Sequence, residues 1–202
     1  MSIKKVVLVG DSVFDNGDYV GPNQDVVNQL NQRLSAEYNA ELIAVDGATT
    51  KDVWKQIDNL CEGQGAILLS IGGNDVLMNA QVLQVQVNKV WESQRRLADL
   101  VDQFEARYRE AVALCVNARP MLGICTIYEP WFSNPDLRRI AKFTLIPYNQ
   151  AIFRVAQEHS LFVLDLREIF TEKEDFTNAI EPSECGGAKL AAAIKTLMLG
   201  ST

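Results

Sequence analysis

A chain of 202 residues with 48% apolar and 22% charged residues can bury a substantial core, which excludes a disordered protein. Its formal net charge of -7 speaks against nucleic acid as a partner, because that task calls for a basic surface. No apolar run reaches membrane-spanning length and the opening residues lack a signal-peptide core, so no membrane partner and a cytoplasmic location are expected.

Residues 3–9 read as a first strand, apolar almost throughout, that ends abruptly in Gly10-Asp11-Ser12. A helix is expected over 24–37, with Val26, Val27, Leu30 and Leu34 on one face. Residues 41–45 form the second expected strand, closed by Asp46-Gly47. Thr49 or Thr50 caps the next helix, whose stripe is Val53, Ile57 and Leu60 and which Gly63 and Gly65 break. The third strand, 66–71, ends in Gly72-Gly73-Asn74-Asp75. The longest helical pattern covers 88–117, with Leu97, Val101, Phe104, Tyr108, Ala111 and Cys115 on one face as core. Pro120 stops it, and 121–127 is the fourth strand. Tyr128-Glu129-Pro130-Trp131-Phe132 then opens a long loop. A helix over 145–159, a fifth strand at 161–164, an irregular stretch at 175–182 and a last helix from Ser183 to about Leu199 complete the chain. The four cysteines, Cys61, Cys115, Cys125 and Cys185, are widely spaced and read as small buried thiols in a reducing compartment.

Strands alternating with helices imply α/β: a three-layer α/β/α sandwich around a five-stranded parallel sheet, forming one domain over 1–202. In the flavodoxin-like order 2-1-3-4-5 the ends of strands one, two and three lie side by side. The punctuation at those ends, Gly10-Asp11-Ser12, Asp46-Gly47-Ala48 and Gly72-Gly73-Asn74-Asp75, then converges on one spot. A serine with backbone N–H groups and an amide beside it is the layout of a nucleophile with an oxyanion hole.

These blocks, in this order, resemble those of the SGNH (GDSL-type) hydrolases, esterases and lipases acting on small esters and acyl groups. Gly10-Asp11-Ser12-Val13 resembles the first block, Gly47 the second and Gly72-Gly73-Asn74-Asp75 the third. Ile180-Glu181-Pro182-Ser183 with Gly186-Gly187 resembles the fifth. The resemblance implies Ser12 as nucleophile, and the Ser12 N–H, the Gly47 N–H and the Asn74 side chain as oxyanion donors. It also exposes a departure. Where the family has its catalytic histidine this chain has Glu181, and where it has the orienting aspartate, three residues earlier, this chain has Asn178.

The only histidine, His159, ends a helix before strand five, at the opposite end of the sheet from Ser12, and is expected to cap that helix. Glu181 is the better candidate base, since burial can raise a carboxylate into the working range of a base at neutral pH. The plain alternative is that Glu181 caps or salt-links the last helix. Asp11, Asp75, Tyr128, Glu129 and Trp131 stand on the same rim as weaker candidates for substrate contact. Asp11, Asp15 and Asp18 do not have calcium-loop spacing and are expected to bond backbone N–H groups. Cys185, in the first turn of the last helix, reads as a packed residue. No metal or nucleotide-cofactor motif is present. Three functions follow: an ester or acyl hydrolase acting through Ser12 with Glu181 as base, a non-catalytic ligand-binding protein on the same scaffold, or a partner protein using helix 88–117. The first is the reading adopted.

Overall fold

Successive side chains of a strand point to opposite faces of its sheet, and in the first strand both faces are filled. Val7 and Val9 enter one core, Val6 and Leu8 the other, and all four are essentially without solvent exposure. This strand, β1 (Lys4–Gly10), is therefore central. In the computed structural model, which describes residues 4–60, 65–80, 89–119 and 121–199, it pairs in parallel with β2 (Tyr38–Leu42) on one side and β3 (Gly65–Ser70) on the other. β4 (Met121–Cys125) and β5 (Phe162–Leu164) extend the sheet to the order 2-1-3-4-5 expected from the sequence.

Helices cover both faces. On one side lie α2 (Val53–Asp58), α4 (Val90–Ala118) and α5 (Pro135–Glu158), whose Phe104, Tyr108, Val112 and Ile152 pack on Ile67, Leu69 and Ile124. On the other lie α1 (Val26–Asn31), α6 (Leu166–Ile169) and α7 (Glu184–Leu199), whose Leu30, Leu166, Leu190 and Ile194 pack on Val6, Leu8 and Leu68. The short α3 (Gly73–Met78) follows β3 directly. Among the described residues, no helix is long and apolar enough to cross a membrane.

Several elements depart from the sequence reading. β2 begins at Tyr38, because the parallel register sets Lys4 against Tyr38 and the ladder ends at Leu42. The chain keeps contact with β1 beyond that point through single bonds, such as Val45 N–H to the Gly10 carbonyl at 3.0 Å. α1 is far shorter than 24–37. α5 starts ten residues earlier than expected, at Pro135, where the Asn134 side chain accepts from the N–H groups of Asp136 and Leu137. Its first turns carry Leu137, Ile140, Phe143 and Ile146 exposed, so they give no core-facing stripe, and Pro147 stands inside the helix instead of at its start. Thr49 caps the turn leading into α2, in a reciprocal box with Asp52. Cys61, Gly63 and Pro120 lie outside the described residues. Cys115 and Cys125 are buried, but Cys185 is exposed, against the expectation. Gly186 and Gly187 hold the packed side of that turn instead: a Cβ on Gly186 would lie 2.3 Å from the Asp175 carbonyl oxygen.

At the strand ends, amide side chains replace the missing ladder. Gln56 bonds both the N–H and the carbonyl of Gly10 at 2.8 Å, and Asn149 does the same for Ile127. Gly10 itself has φ +134°, and a Cβ there would sit 1.7 Å from the Ser70 carbonyl oxygen. Backbone cannot yield like a flexible side chain, so Gly10→Ala combines a clash with a disfavoured conformation. We expect it to lose about 3 kcal/mol or more of unfolding free energy in a urea titration. An equally stable Gly10→Ala protein would show that β1 and β3 are not this close.

Candidate active site

Beyond Gly10 the chain turns back on itself within five residues. The Asp11 carbonyl accepts from the N–H groups of both Phe14 and Asp15 at 3.1 Å, and the Asp11 carboxylate accepts from Val13 N–H at 3.2 Å. This tight turn holds Ser12 at the wall of a cavity of about 150 Å³, with Asp11, Asn74, Tyr128 and Glu181 in the same wall. Ser12, Asp11 and Glu181 are buried, at 8%, 4% and 7% exposure. Glu181, which sequence spacing alone left between a site role and a helix salt link, thus comes to the serine.

The loop that delivers Glu181 is clamped at every step. Asn178 Oδ1 accepts from the N–H groups of Ile180 and Glu181, both at 2.9 Å. Thr177 N–H donates to the Glu181 carbonyl at 2.9 Å, and Trp131 N–H to the Ala179 carbonyl at 2.7 Å. The Tyr128 hydroxyl donates to the Ile180 carbonyl, and Asn16 Nδ2 to the Pro182 carbonyl at 3.3 Å. Asn178 therefore has a task of its own, forming an Asx turn that presents the next acidic residue. Asn16, fully buried, also accepts from Val26 N–H at 2.9 Å, tying this loop to the start of α1. Sequence reasoning missed Asn16, though a polar residue just after the serine turn was a signal available to it.

The Asn74 amide shares the cavity wall with Ser12. Among the described residues, neither the Ser12 N–H nor the Gly47 N–H donates to a protein acceptor. Asn74 Nδ2 donates to the Ala48 carbonyl at 2.9 Å, which commits one of its two hydrogens and fixes the amide next to Gly47. Gly47, at φ +76°, is exposed and belongs to the groove beside the cavity, not to its wall.

Other expected contacts are placed elsewhere. Asp75 is buried but accepts from the Thr50 N–H at 2.9 Å and hydroxyl at 2.7 Å, joining α3 to the turn before α2. Glu129 pairs with Lys142 at 2.9 Å. Trp131 stacks on Phe176 at 6.1 Å, with the Arg138 guanidinium 4.5 Å above its ring. None of the three lines the cavity. Their side chains found intramolecular partners that a rim position alone does not reveal. His159 caps α5 at the far end of the sheet, as expected. Asp15 accepts from Asp46 N–H at 2.8 Å, in the loop after β2 instead of within its own turn as expected.

Burial sets the electrostatics. Loss of water pushes the Asp11 carboxyl up to about 8, with the negative charges of Glu181 and Asp75 adding to the effect and the Val13 N–H opposing it. Burial likewise raises Glu181 above the ordinary carboxylate range, opposed by the Ser12 hydroxyl and helped by the charge of Asp46. At neutral pH Asp11 is therefore largely protonated. One Glu181 oxygen, Oε2, is buried without a hydrogen-bond partner. A buried carboxylate with a free oxygen beside a serine hydroxyl is chemically able to accept that proton.

With this geometry established, comparison with known proteins is direct. The model of the GDSL-like Lipase/Acylhydrolase family matches residues 8–183. The chain belongs to that family. Among solved structures, a member of the lipolytic protein G-D-S-L family from Veillonella parvula is 16% identical with a TM-score of 0.73, covering 98% of this chain and 100% of that one. Phospholipase A1 from Streptomyces albidoflavus is 16% identical with a TM-score of 0.73, covering 96% and 99%. An acetylxylan esterase from Geobacillus stearothermophilus is 20% identical with a TM-score of 0.65, covering 100% and 96%. No curated protein matches the sequence. These likenesses establish the family's fold across nearly the whole chain.

The raised Asp11 carries a consequence for stability. Its ordinary value is 3.8 and its folded value about 8. Between these the folded chain binds the extra proton, so stability falls as pH rises through that window. Asp11→Asn keeps an oxygen for Val13 N–H and removes the titration. The melting temperature of the wild type should fall relative to Asp11→Asn between pH 5 and 8, by about 2–4 °C for each kcal/mol of penalty. Parallel melting curves across that range would contradict the burial of a protonated Asp11.

Proposed function

We propose that this family member is an acyl-ester hydrolase in which Ser12 is the nucleophile and Glu181 replaces the family's histidine as general base. The observation that carries this reading is Glu181 itself, buried in the same cavity wall as Ser12 with a raised pKa and an unpartnered oxygen. A base is most useful when its pKa lies near the working pH, and an ordinary glutamate falls well short of that.

In the proposed cycle Ser12 Oγ attacks the ester carbonyl carbon and its proton passes to Glu181. The negative charge formed on the carbonyl oxygen is received by the N–H groups of Ser12 and Gly47 and by the Asn74 amide. The bond to the alcohol breaks, and Glu181, now a carboxylic acid, returns the proton to the departing oxygen. Water then attacks the acyl-serine and its proton goes to Glu181; the acyl–Oγ bond breaks, Glu181 returns that proton to Ser12 Oγ, and the carboxylic acid product leaves. Asn178 acts on this cycle through the turn that aims Glu181, in place of orienting an imidazole. The free carboxylate is the active form, so kcat/KM rises with pH on its acid side. Its midpoint should lie above that of an exposed glutamate, because burial raises Glu181.

The test is hydrolysis of p-nitrophenyl butyrate. Ser12→Ala should fall to background, and Glu181→Gln should lose about 10²–10⁴-fold in kcat/KM together with the acid limb. Glu181→Gln with wild-type activity would remove Glu181 as base. Asn178→Asp with Glu181→His should work through Ser12, at a rate up to about 10²-fold above the wild type, since the surrounding groups are built for a narrower, non-aromatic side chain and misplacement of ~1 Å is costly. His159→Gln should stay within about twofold, a change of ~0.4 kcal/mol in barrier. A fall as deep as that of Ser12→Ala would place His159 in the site.

A further inference from the structure

The cavity that holds Ser12 and Glu181 extends well past the reacting groups. Its far wall is built by Val76 and Leu77 of α3, Leu97 of α4, Ile127 after β4, and Ala141 and Leu145 of α5. Leu97 begins the stripe that continues into the core at Val101 and Phe104, and it is only half-buried because it faces this space. An ester hydrolase needs room for three substituents around the attacked carbon. The oxyanion belongs at Asn74, where α3 begins. The alcohol takes its proton from Glu181, so it leaves on the side of the 177–182 loop. The acyl chain is left with the direction along α3, towards Leu77 and Leu97.

Resting on the hydrolase reading above, we propose that this apolar space is an acyl pocket selecting straight acyl groups longer than acetyl and up to about six carbons, since the whole cavity of about 150 Å³, reacting groups included, accommodates no more than about a benzene-sized group. Acetyl groups leave the pocket largely unfilled, and long chains exceed it. Ala141 sets the depth: it faces the cavity with a single methyl group, and its half-buried helix position can take a larger side chain without entering the core.

Removing a methylene from water contributes ~0.8 kcal/mol, close to fourfold in rate. With p-nitrophenyl acetate, butyrate, hexanoate and decanoate, kcat/KM should therefore climb about two- to fourfold per methylene to the hexanoate and fall at the decanoate. Ala141→Phe should cost more on hexanoate than on acetate, bringing the hexanoate-to-acetate ratio of kcat/KM close to one. Ethyl hexanoate and hexyl acetate have the same atoms with acyl and alcohol lengths exchanged, and the former should be the better substrate. A flat series, a preference for hexyl acetate, or an equal loss on acetate and hexanoate in Ala141→Phe would overturn the proposal. Calorimetric binding of p-nitrophenyl hexanoate and acetate to Ser12→Ala separates this from catalysis. Tighter binding of the hexanoate that Ala141→Phe abolishes supports the pocket even if the wild type turns over nothing, in which case only the hydrolase reading fails. Equal binding of the two esters refutes the pocket.

Discussion

The contact between Gly10 and the Ser70 carbonyl is the constraint on which the site depends. With no side chain at Gly10, the ends of β1 and β3 close to a separation no other residue permits. Gln56 then satisfies both backbone groups of Gly10. The next two residues emerge from this fixed point, so Asp11 turns inward to bond its own loop and Ser12 reaches the cavity. The neighbouring strand end, two residues past Ser70, uses a second glycine of positive φ, Gly72, whose Cβ would press on the Phe104 ring at 2.8 Å. Asn74 follows immediately. Ser12 and the Asn74 amide are thus set by two close approaches at adjacent strand ends, before any loop is considered.

Glu181 arrives by a different route. It stands on an irregular segment whose shape is maintained by side chains from elsewhere, Tyr128 after β4, Asn16 after β1 and Asn178 within the segment. The cost of burying its charge is what makes it useful. Water is kept from one oxygen and the pKa rises, while burial also holds the neighbouring Asp11 largely protonated at neutral pH. An imidazole needs an orienting carboxylate for its second nitrogen, whereas a carboxylate needs only a firm backbone and a dry setting. The proposed exchange of the family's aspartate and histidine for Asn178 and Glu181 is coherent on those terms.

The sheet was legible in the sequence because β1, β3 and β4 are buried on both faces and must be apolar throughout. Ser12 and Asn74 were legible because glycine punctuation marks their strand ends. Elements whose patterns answer to something other than the core were not. The first half of α5 exposes Ile140 and Phe143, so its only signal was the Asn134-Pro135 start. Cys185 was taken for a packed residue because the glycines beside it were not recognised as the packed surface. Asp75, Glu129 and Trp131 stand on the expected rim but are engaged by Thr50, Lys142 and Phe176, partners 25, 13 and 45 positions away in the chain that no local pattern identifies.

The most direct measurement of the central claim is the rate at which a fluorophosphonate labels Ser12, followed by mass spectrometry across pH. This reads the nucleophile and its base without requiring the right ester. Labelling should be confined to Ser12, rise with pH as Glu181 loses its proton, and be slow and nearly independent of pH in Glu181→Gln over the same range. Labelling of Glu181→Gln with the wild-type rate and pH profile would contradict it.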